Sequence, residues 1–376
     1  SFIPALGAGG TELKTKPTQH AVRNLNSVGI QPDIILGRAS VPLDQKRKEK
    51  IQFMCGLEEG DVISAPNIES IYEVPVNFEK DNISGRILKK LFLRARNTNL
   101  KEWQSLVHTI KNPKGEVKIG IVGKYFGSGD FILTDSYISV LESVKHAAYF
   151  WSQKPIIEWL DSDTYEKDPA KLKELKKYDG IIVPGGFGNR GIEGKIKAIG
   201  YCRKNEIPFF GLCLGLQLSV IEFARNVVGI KDATSREFDR NAKNPVIDVM
   251  EEQKELLKEK HYGGTMRLGA YDCQVQDGTI SHKAYKDWVA NSKGPYMIYE
   301  RHRHRYEVNN DYKDMLKEKG LVVAGVNPKK NLIEIIELKN HPFFVGTQFH
   351  PEFKSRPLKP HPLFKEFIKA AIKNQK

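Results

Sequence analysis

The residues best placed to do chemistry lie in Pro208-Phe209-Phe210-Gly211-Leu212-Cys213-Leu214-Gly215-Leu216-Gln217. An apolar run with strand character leads into Cys213, Gly211 and Gly215 flank it, and a helical pattern follows at once. G-x-C-x-G is the thiol form of the nucleophile elbow, in which small flanking residues let the chain turn sharply and hold the reactive side chain up. The N-terminus of the following helix carries partial positive charge, which favours thiolate over thiol. A buried structural cysteine between strand and helix is the competing reading of this pentapeptide alone.

Gln348-Phe349-His350-Pro351-Glu352 supplies the partners such a thiol needs. His350 and Glu352 stand two apart at the end of a predicted strand, so their side chains share a face. The carboxylate fixes the imidazole tautomer and stabilises the imidazolium that forms when the thiol gives up its proton. Alone, His-Pro-Glu reads as a surface turn; downstream of a cysteine elbow, the general-base reading is the stronger one. Val183-Pro184-Gly185-Gly186-Phe187-Gly188 also ends a predicted strand, the edge of an open α/β sheet where ligands bind. Its glycines let backbone N–H groups approach a developing oxyanion, with the Leu214 N–H as the second donor. By itself this stretch reads equally as a phosphate-binding turn or a plain loop.

Two α/β patterns must carry these motifs. The first contains a strand at Asp33 to Leu36, a helix at Leu43 to Met54 and a strand at Asp61 to Ser64. Helices at Ser84 to Arg94 and Leu100 to Ile110 follow, while Ser1 to Gly10 reads as an apolar strand entering a Gly-rich turn. Lys111-Asn112-Pro113-Lys114-Gly115 is polar and breaks a helix, so 111–116 reads as a linker between domains at 1–110 and 117–376. The second pattern opens with a buried-type strand, Val117 to Val122. A helix with Tyr137, Val140, Leu141, Val144 and Ala148 on one face comes next. Strands at Ile156 to Trp159, Gly180 to Val183 and Pro208 to Leu212 then alternate with helices, which predicts a parallel, doubly wound α/β sheet. After Ala233 the pattern is mixed and strand-rich, ending with Phe343 to Phe349 and a helix from about Pro362.

With 376 residues the chain is long enough for two domains, and 40% hydrophobic with 28% charged residues describes a soluble globular protein. Its longest apolar runs, such as Ile207 to Leu218, are broken by Pro, Gly or Cys and too short to span a bilayer. No leader pattern opens the chain, and Cys55, Cys202, Cys213 and Cys273 form no CxxC pair. A reducing cytoplasm, no membrane partner and no zinc site are the expectations. The net charge of +13 is spread among acidic residues, so a lysine-rich solvated surface is favoured over nucleic-acid binding. Anionic small ligands, nucleotides especially, suit such a chain.

PGGFG, GLCLGLQ and QFHPE in this order resemble the class I (triad) glutamine amidotransferases. The resemblance implies Cys213 as nucleophile, His350 as base, Glu352 as its orienting acid, and Gly186 with Leu214 as oxyanion hole. It also implies glutamine hydrolysis through a γ-glutamyl thioester, with ammonia delivered to a synthetase domain. Leu13-Lys14-Thr15-Lys16-Pro17-Thr18-Gln19-His20, Gly263-Gly264-Thr265-Met266-Arg267-Leu268-Gly269 and Glu300-Arg301-His302-Arg303-His304-Arg305-Tyr306-Glu307-Val308-Asn309 extend the resemblance to the CTP synthases, over nearly the whole chain. The fold it implies is part of an amidoligase (synthetase) domain followed by a glutaminase domain. Glutamine would be held by Gly186, Leu214, Gln217, Glu237 and Arg305, with arginine for its carboxylate and glutamate for its ammonium. On a strand, Arg301 and Arg303 fall on one face and His302 and His304 on the other, for which nucleic-acid or metal contacts are the alternatives.

In the same resemblance Lys14, Thr15, Lys16, Pro17, Thr18, Gln19 and Lys50 contact the triphosphate of UTP or of the inhibitor CTP. Lysines and threonine donors at a helix start make a reasonable phosphate cradle; otherwise KTKPTQ is an ordinary helix start with Pro near N1. The family's ATP-binding opening, with its acidic Mg²⁺ ligands, has no counterpart, and no G-x-x-x-x-G-K-[ST] occurs. The expectation is a chain without metal ligands or covalent cofactor, competent alone for the glutaminase step at most. ATP, GTP as allosteric activator (candidates Arg190 and GGTMRLG) and a homotetramer complete what the resemblance implies. A glutaminase for another synthetase, such as one for GMP or carbamoyl phosphate, is disfavoured by KTKPTQ and RHRHRYEVN. A silent assembly fragment is disfavoured by the intact triad.

Overall fold

The computed structural model describes residues 1–6, 12–96, 99–123, 127–128, 131–132, 137–186, 188–249, 266–289 and 294–375. They form two compact units, Ser1–Lys111 and Asn112–Lys376.

In the first unit, helix α1 (Lys16–Ser27), strand β1 (Ile35–Ala39), helix α2 (Gln45–Cys55) and strand β2 (Val62–Pro66) enclose a small core. Strands β1 and β2 pair in parallel. Ile3, Val22, Ile35, Ile51 and Val62 fill the space between them and the helices. The start of α2 is fixed by Asp44, whose Oδ1 accepts the Arg47 N–H at 2.8 Å, and its end by Gly56 at φ 64°. Helices α3 (Ile83–Lys90) and α4 (Lys101–Lys111) follow. The apolar strand expected at the N-terminus shrinks to a bridge between Phe2 and Arg38 and the two-residue strand Ala5–Leu6; 7–10 lie outside the described residues. The expected linker is also shorter than 111–116. Lys111 still belongs to α4 and Gly115 opens the next strand, because Pro113 is enough to stop the helix.

The second unit is built on a nine-stranded sheet. Its strands are β3 (Gly115–Gly123), β4 (Gln153–Asp161), β5 (Gly180–Val183), β6 (Phe209–Leu212), β9 (Arg267–Val275), β10 (Tyr296–His304), β12 (Leu321–Asn327), β13 (Leu332–Leu338) and β14 (Phe344–Thr347). The spatial order is β10-β9-β12-β13-β14-β6-β5-β3-β4. From β14 to β4 every pairing is parallel, the doubly wound pattern expected; from β10 to β14 every pairing is antiparallel, so the whole sheet is mixed. A second sheet joins β7 (Ala233–Ser235), β8 (Asn244–Val249) and β11 (Tyr306–Val308).

Helices α5 (Ile138–Phe150), α6 (Ile192–Lys204), α7 (Leu214–Phe223) and α8 (Pro362–Asn374) cover the parallel half. Strand alternation divides the core between the two faces. Ile181 and Phe209 join Ile196, Ile199 and Leu218 of α6 and α7, while Ile182 and Phe210 join Val140, Val144, Phe364 and Phe367 of α5 and α8. Phe210 meets the rings of Phe343, Phe364 and Phe367 at centroid distances of 5.7, 5.1 and 5.8 Å. Burying each such side chain contributes about 1.5–3 kcal/mol, which holds the central strands rigidly in place. Among the described residues no helix is long and apolar enough to cross a membrane.

Candidate active site

Strand β6 lies between β5 and β14, all three parallel, so the three motifs that follow these strands emerge side by side at one sheet edge. Gly211 pairs with Val183 and Leu212 with Thr347, which sets the register. The Cys213 N–H continues this ladder by donating to Thr347 O at 2.7 Å.

Cys213 adopts φ 50° and ψ −98°, a conformation L-residues rarely hold, and α7 starts at the next residue. The flanking glycines make this turn possible. A Cβ on Gly211 would sit 2.8 Å from the Gly215 backbone, and one on Gly215 would sit 2.2 Å from Val183 O. Helix start, strand β5 and strand β6 therefore meet at a spacing no larger residue permits. Gly185 closes the site from the neighbouring loop: a Cβ there would lie 3.1 Å from His350 Cε1 and 3.6 Å from Cys213 Cβ.

His350 Nδ1 lies 2.7 Å from Glu352 Oε1, both side chains buried. The geometry differs from the sequence expectation in its cause. Strand β14 ends at Thr347, and Pro351–Phe353 form a 3-10 turn that brings the carboxylate back under the ring. The His350 ring stacks on Phe353 at 4.9 Å, and the backbone N–H of His350 donates to Arg301 O at 2.7 Å, so ring stacking, main chain and carboxylate together hold the residue in place. Burial pulls the His350 pKa down, but the negative charges of Glu352 and Cys213 outweigh it and raise it to about 11. An imidazolium so stabilised is the counter-ion a thiolate nucleophile requires.

In front of Cys213 opens a cavity of about 260 Å³ lined by Gly186, Cys213, Leu214, Gln217, Glu237, Met266, His304, Arg305 and Tyr306. All the residues expected to hold glutamine line it, although they come from the β5 and β6 ends, the segment after β7, and the turn between β10 and β11. Glu237 Oε1 accepts the Gly188 N–H at 3.2 Å, tying its segment to the glycine loop. Phe187 lies outside the described residues. Burial alternates along β10 as expected, with Arg301 and Arg303 exposed and His302 and His304 buried.

Sequence reasoning passed over Tyr306, His304 and Gln348 as site residues and offered Met266 only within the activator candidate GGTMRLG. Gln217 Nε2 donates to Tyr306 O at 2.8 Å and to Gln348 Oε1 at 3.2 Å, and Gln348 Nε2 lies 3.7 Å from Cys213 Sγ. Behind the wall is a buried charge cluster. Arg267 donates to Glu307 Oε1 at 2.7 Å and Glu334 Oε1 at 2.9 Å, and His304 Nε2 lies 2.7 Å from Glu307 Oε1. Burial and the neighbouring Glu307 raise Glu334 to about 8 despite Arg267. Burial raises Glu307 too, but His304 and Arg267 prevail and hold it below the usual carboxylate value. The alternation of Arg and His in 301–305 was the available signal for this cluster; its acidic partners sit on β11 and β13, beyond what spacing along one strand shows.

The expected nucleotide segment lies in the first unit. Pro17 occupies the first turn of α1, with Thr15 at its N-cap. Thr15, Thr18 and Gln19 are buried: Gln19 Nε2 donates to Thr15 Oγ1 at 3.1 Å, and Ser1 Oγ donates to Thr18 Oγ1 at 3.0 Å. Lys14 pairs with Glu12, whereas Lys16 and Lys50 are exposed. The apolar stripe of α1 turns Thr18, Gln19 and Val22 inward. Of the two activator-site candidates, Arg190 Nε donates to Asp163 Oδ2 at 2.8 Å. Gly263, Gly264 and Thr265 lie outside the described residues, and Arg267 is committed to the buried cluster.

Residues 132–370 match the glutamine amidotransferase class-I family and residues 1–93 the CTP synthase N-terminus. CTP synthase of Carboxydothermus hydrogenoformans is 51% identical over 376 residues, covering 100% of this chain and 67% of that relative. CTP synthase of Caldanaerobacter subterraneus subsp. tengcongensis is 51% identical over 372 residues, covering 99% and 66%. This chain therefore spans about two thirds of the length of these relatives. Among solved structures, the glutaminase domain of Trypanosoma brucei CTPS with bound acivicin superposes with a TM-score of 0.61 at 38% identity, covering 69% of this chain and 95% of that one. The chain belongs to the CTP synthase family, a family of glutamine-hydrolysing ligases, and carries its class-I glutamine amidotransferase domain.

Proposed function

We propose that Cys213, His350 and Glu352 hydrolyse glutamine and that the ammonia serves the ATP-dependent amination of UTP to CTP. The observation that carries this reading is the cavity in front of Cys213, which the loops at the β5 and β6 ends share with the segment after β7 and the turn between β10 and β11. There Cys213 meets Gly186, Leu214, Gln217, Glu237 and Arg305. Arg305 pairs with the α-carboxylate of glutamine and Glu237 with its α-ammonium, which sets the carboxamide at Cys213. The thiolate attacks the carboxamide carbon, and the N–H groups of Gly186 and Leu214 stabilise the oxyanion. His350, as imidazolium, gives its proton to the departing nitrogen, and ammonia leaves as the thioester forms. His350 then takes a proton from water, the hydroxide adds to the thioester, and glutamate leaves with Cys213 restored. Glu352 keeps the ring oriented in both halves.

Lys14, Thr15, Lys16, Pro17, Thr18, Gln19 and Lys50 belong to this reading as UTP or CTP contacts, GTP as activator of the glutaminase step, and a homotetramer as the assembly. Thr15, Thr18 and Gln19 are buried at the start of α1, and Lys16 and Lys50 are exposed. Among the described residues no group of three His, Cys, Asp or Glu side chains is arranged for a metal ion. Ammonia release from glutamine, with and without GTP, tests the reading beside Cys213→Ala. Loss of release in the variant supports it; equal release from both proteins refutes it.

A further inference from the structure

The polar chain that ends on the cysteine sulfur begins at a backbone carbonyl, and this fixes its direction. Tyr306 O can only accept, so the Gln217 side-chain atom 2.8 Å from it is the amide nitrogen. That nitrogen has one further N–H, which goes to Gln348 Oε1 at 3.2 Å. The Gln348 amide is thereby oriented with its own nitrogen toward Cys213 Sγ, 3.7 Å away. Gln348 is fully buried, and its backbone N–H donates to Glu334 O at 2.9 Å, so the side chain projects from an anchored position just beyond β14. Gln217 thus donates to Tyr306 O on one side and to Gln348 on the other, and Gln348 donates on to the nucleophile.

We propose that Gln348 is a further catalytic residue, an amide donor that stabilises and orients the Cys213 thiolate, with Gln217 as the residue that sets its direction. This deepens the glutaminase reading and rests on it for the identity of the substrate. A thiolate accepts hydrogen bonds more strongly than a thiol, so an N–H aimed at the sulfur favours the reactive form. It also holds Sγ in one rotamer while the γ-glutamyl group is absent. With both Gln217 N–H groups so engaged, its Oε1 is the atom left to face a substrate N–H, which makes Gln217 an acceptor in the glutamine cavity.

Two isosteric variants separate this role from a structural one. Gln348→Glu keeps an oxygen for Gln217 but replaces the N–H at the sulfur with negative charge. Gln348→Met removes donor and acceptor together at similar length. The readouts are the alkylation rate of Cys213 by iodoacetamide at pH 7, followed by mass spectrometry of its peptide, the kcat and KM for glutamine hydrolysis, and the melting temperature. All four cysteines are buried, and Cys213 is the one that lines the cavity, so the alkylation of its own peptide reports the site. A donor to sulfur makes Gln348→Glu the slower of the two to alkylate, by about tenfold or more against the parent, the size of one charge-assisted contact. The kcat falls in the same order while KM stays near the parent value. If Gln348→Glu alkylates and turns over like the parent while Gln348→Met does not, the residue merely braces Gln217 and the proposal is overturned. Alkylation needs no glutamine. A parent that alkylates normally but releases no ammonia therefore defeats the glutaminase reading while still leaving the two variants to judge the donor.

Discussion

Replacing Gly215 with alanine tests how tightly the elbow is built. The added Cβ would lie 2.2 Å from Val183 O, where ordinary contact begins at 3.4 Å. Neither side can yield cheaply, because Val183 ends strand β5 and Gly215 is the second residue of α7. The helix start must therefore retreat from β5 by about 1 Å, taking Cys213 and the Leu214 N–H with it, and a displacement of that size costs about 10²-fold in rate. Overpacking adds a stability loss of about 1–3 kcal/mol. Steady-state ammonia release gives kcat/KM, and thermal unfolding shows that the variant is folded at the assay temperature. Gly200→Ala is the control. Its Cβ would meet Glu222 Oε1 at 2.7 Å, a side chain paired with Arg203 on helices α6 and α7, remote from the cavity. It is expected to lose stability and keep the hydrolysis rate. A folded Gly215→Ala protein with the parent's kcat/KM would refute the steric account of the elbow.

Glu352→Gln keeps the shape of the pair but lets the ring adopt the wrong tautomer, so kcat for glutamine hydrolysis falls on the order of 10⁴-fold. A variant within a few-fold of the parent would show that the 2.7 Å contact is dispensable. Arg305→Gln removes the cation assigned to the α-carboxylate and raises the KM for glutamine about 10- to 100-fold, measured by the same ammonia assay. Glu334 tests the buried cluster through pH. Its folded pKa of about 8 exceeds the unfolded value near 4.5, so the folded state holds the extra proton between these limits. The stability it confers is complete below about pH 4.5 and is lost as pH rises toward 8. Melting temperatures of Glu334→Gln should therefore decline less than the parent's between pH 5 and 8; parallel declines would place the proton elsewhere.

Much of the site was legible because its residues are fixed by steric and chemical need. Only glycine fits at 211 and 215 beside a cysteine in that conformation, and an apolar strand must precede it. Alternating strands and helices gave the parallel half of the sheet, and with it the edge where the loops converge. Hydrophobic pattern could not show the antiparallel extension from β13 to β10, since alternate burial along a strand is the same whichever way its neighbour runs. His350 and Glu352 met as expected, although through a proline-led 3-10 turn rather than along a strand. The Gln217–Gln348–Cys213 chain and the Arg267 cluster stayed hidden because their members are up to 135 residues apart and meet only through the sheet order. Thr15 and Thr18 read as phosphate donors in one dimension, and their burial at the start of α1 shows only in the packing.

The central claim is that Cys213 attacks glutamine. Mixing the protein with glutamine, quenching in acid and analysing the Cys213 peptide by mass spectrometry reads that bond directly. The account predicts a γ-glutamyl thioester on Cys213 that disappears in Cys213→Ala together with ammonia release. Hydrolysis that continues in Cys213→Ala, with no adduct on the parent's Cys213, would contradict it.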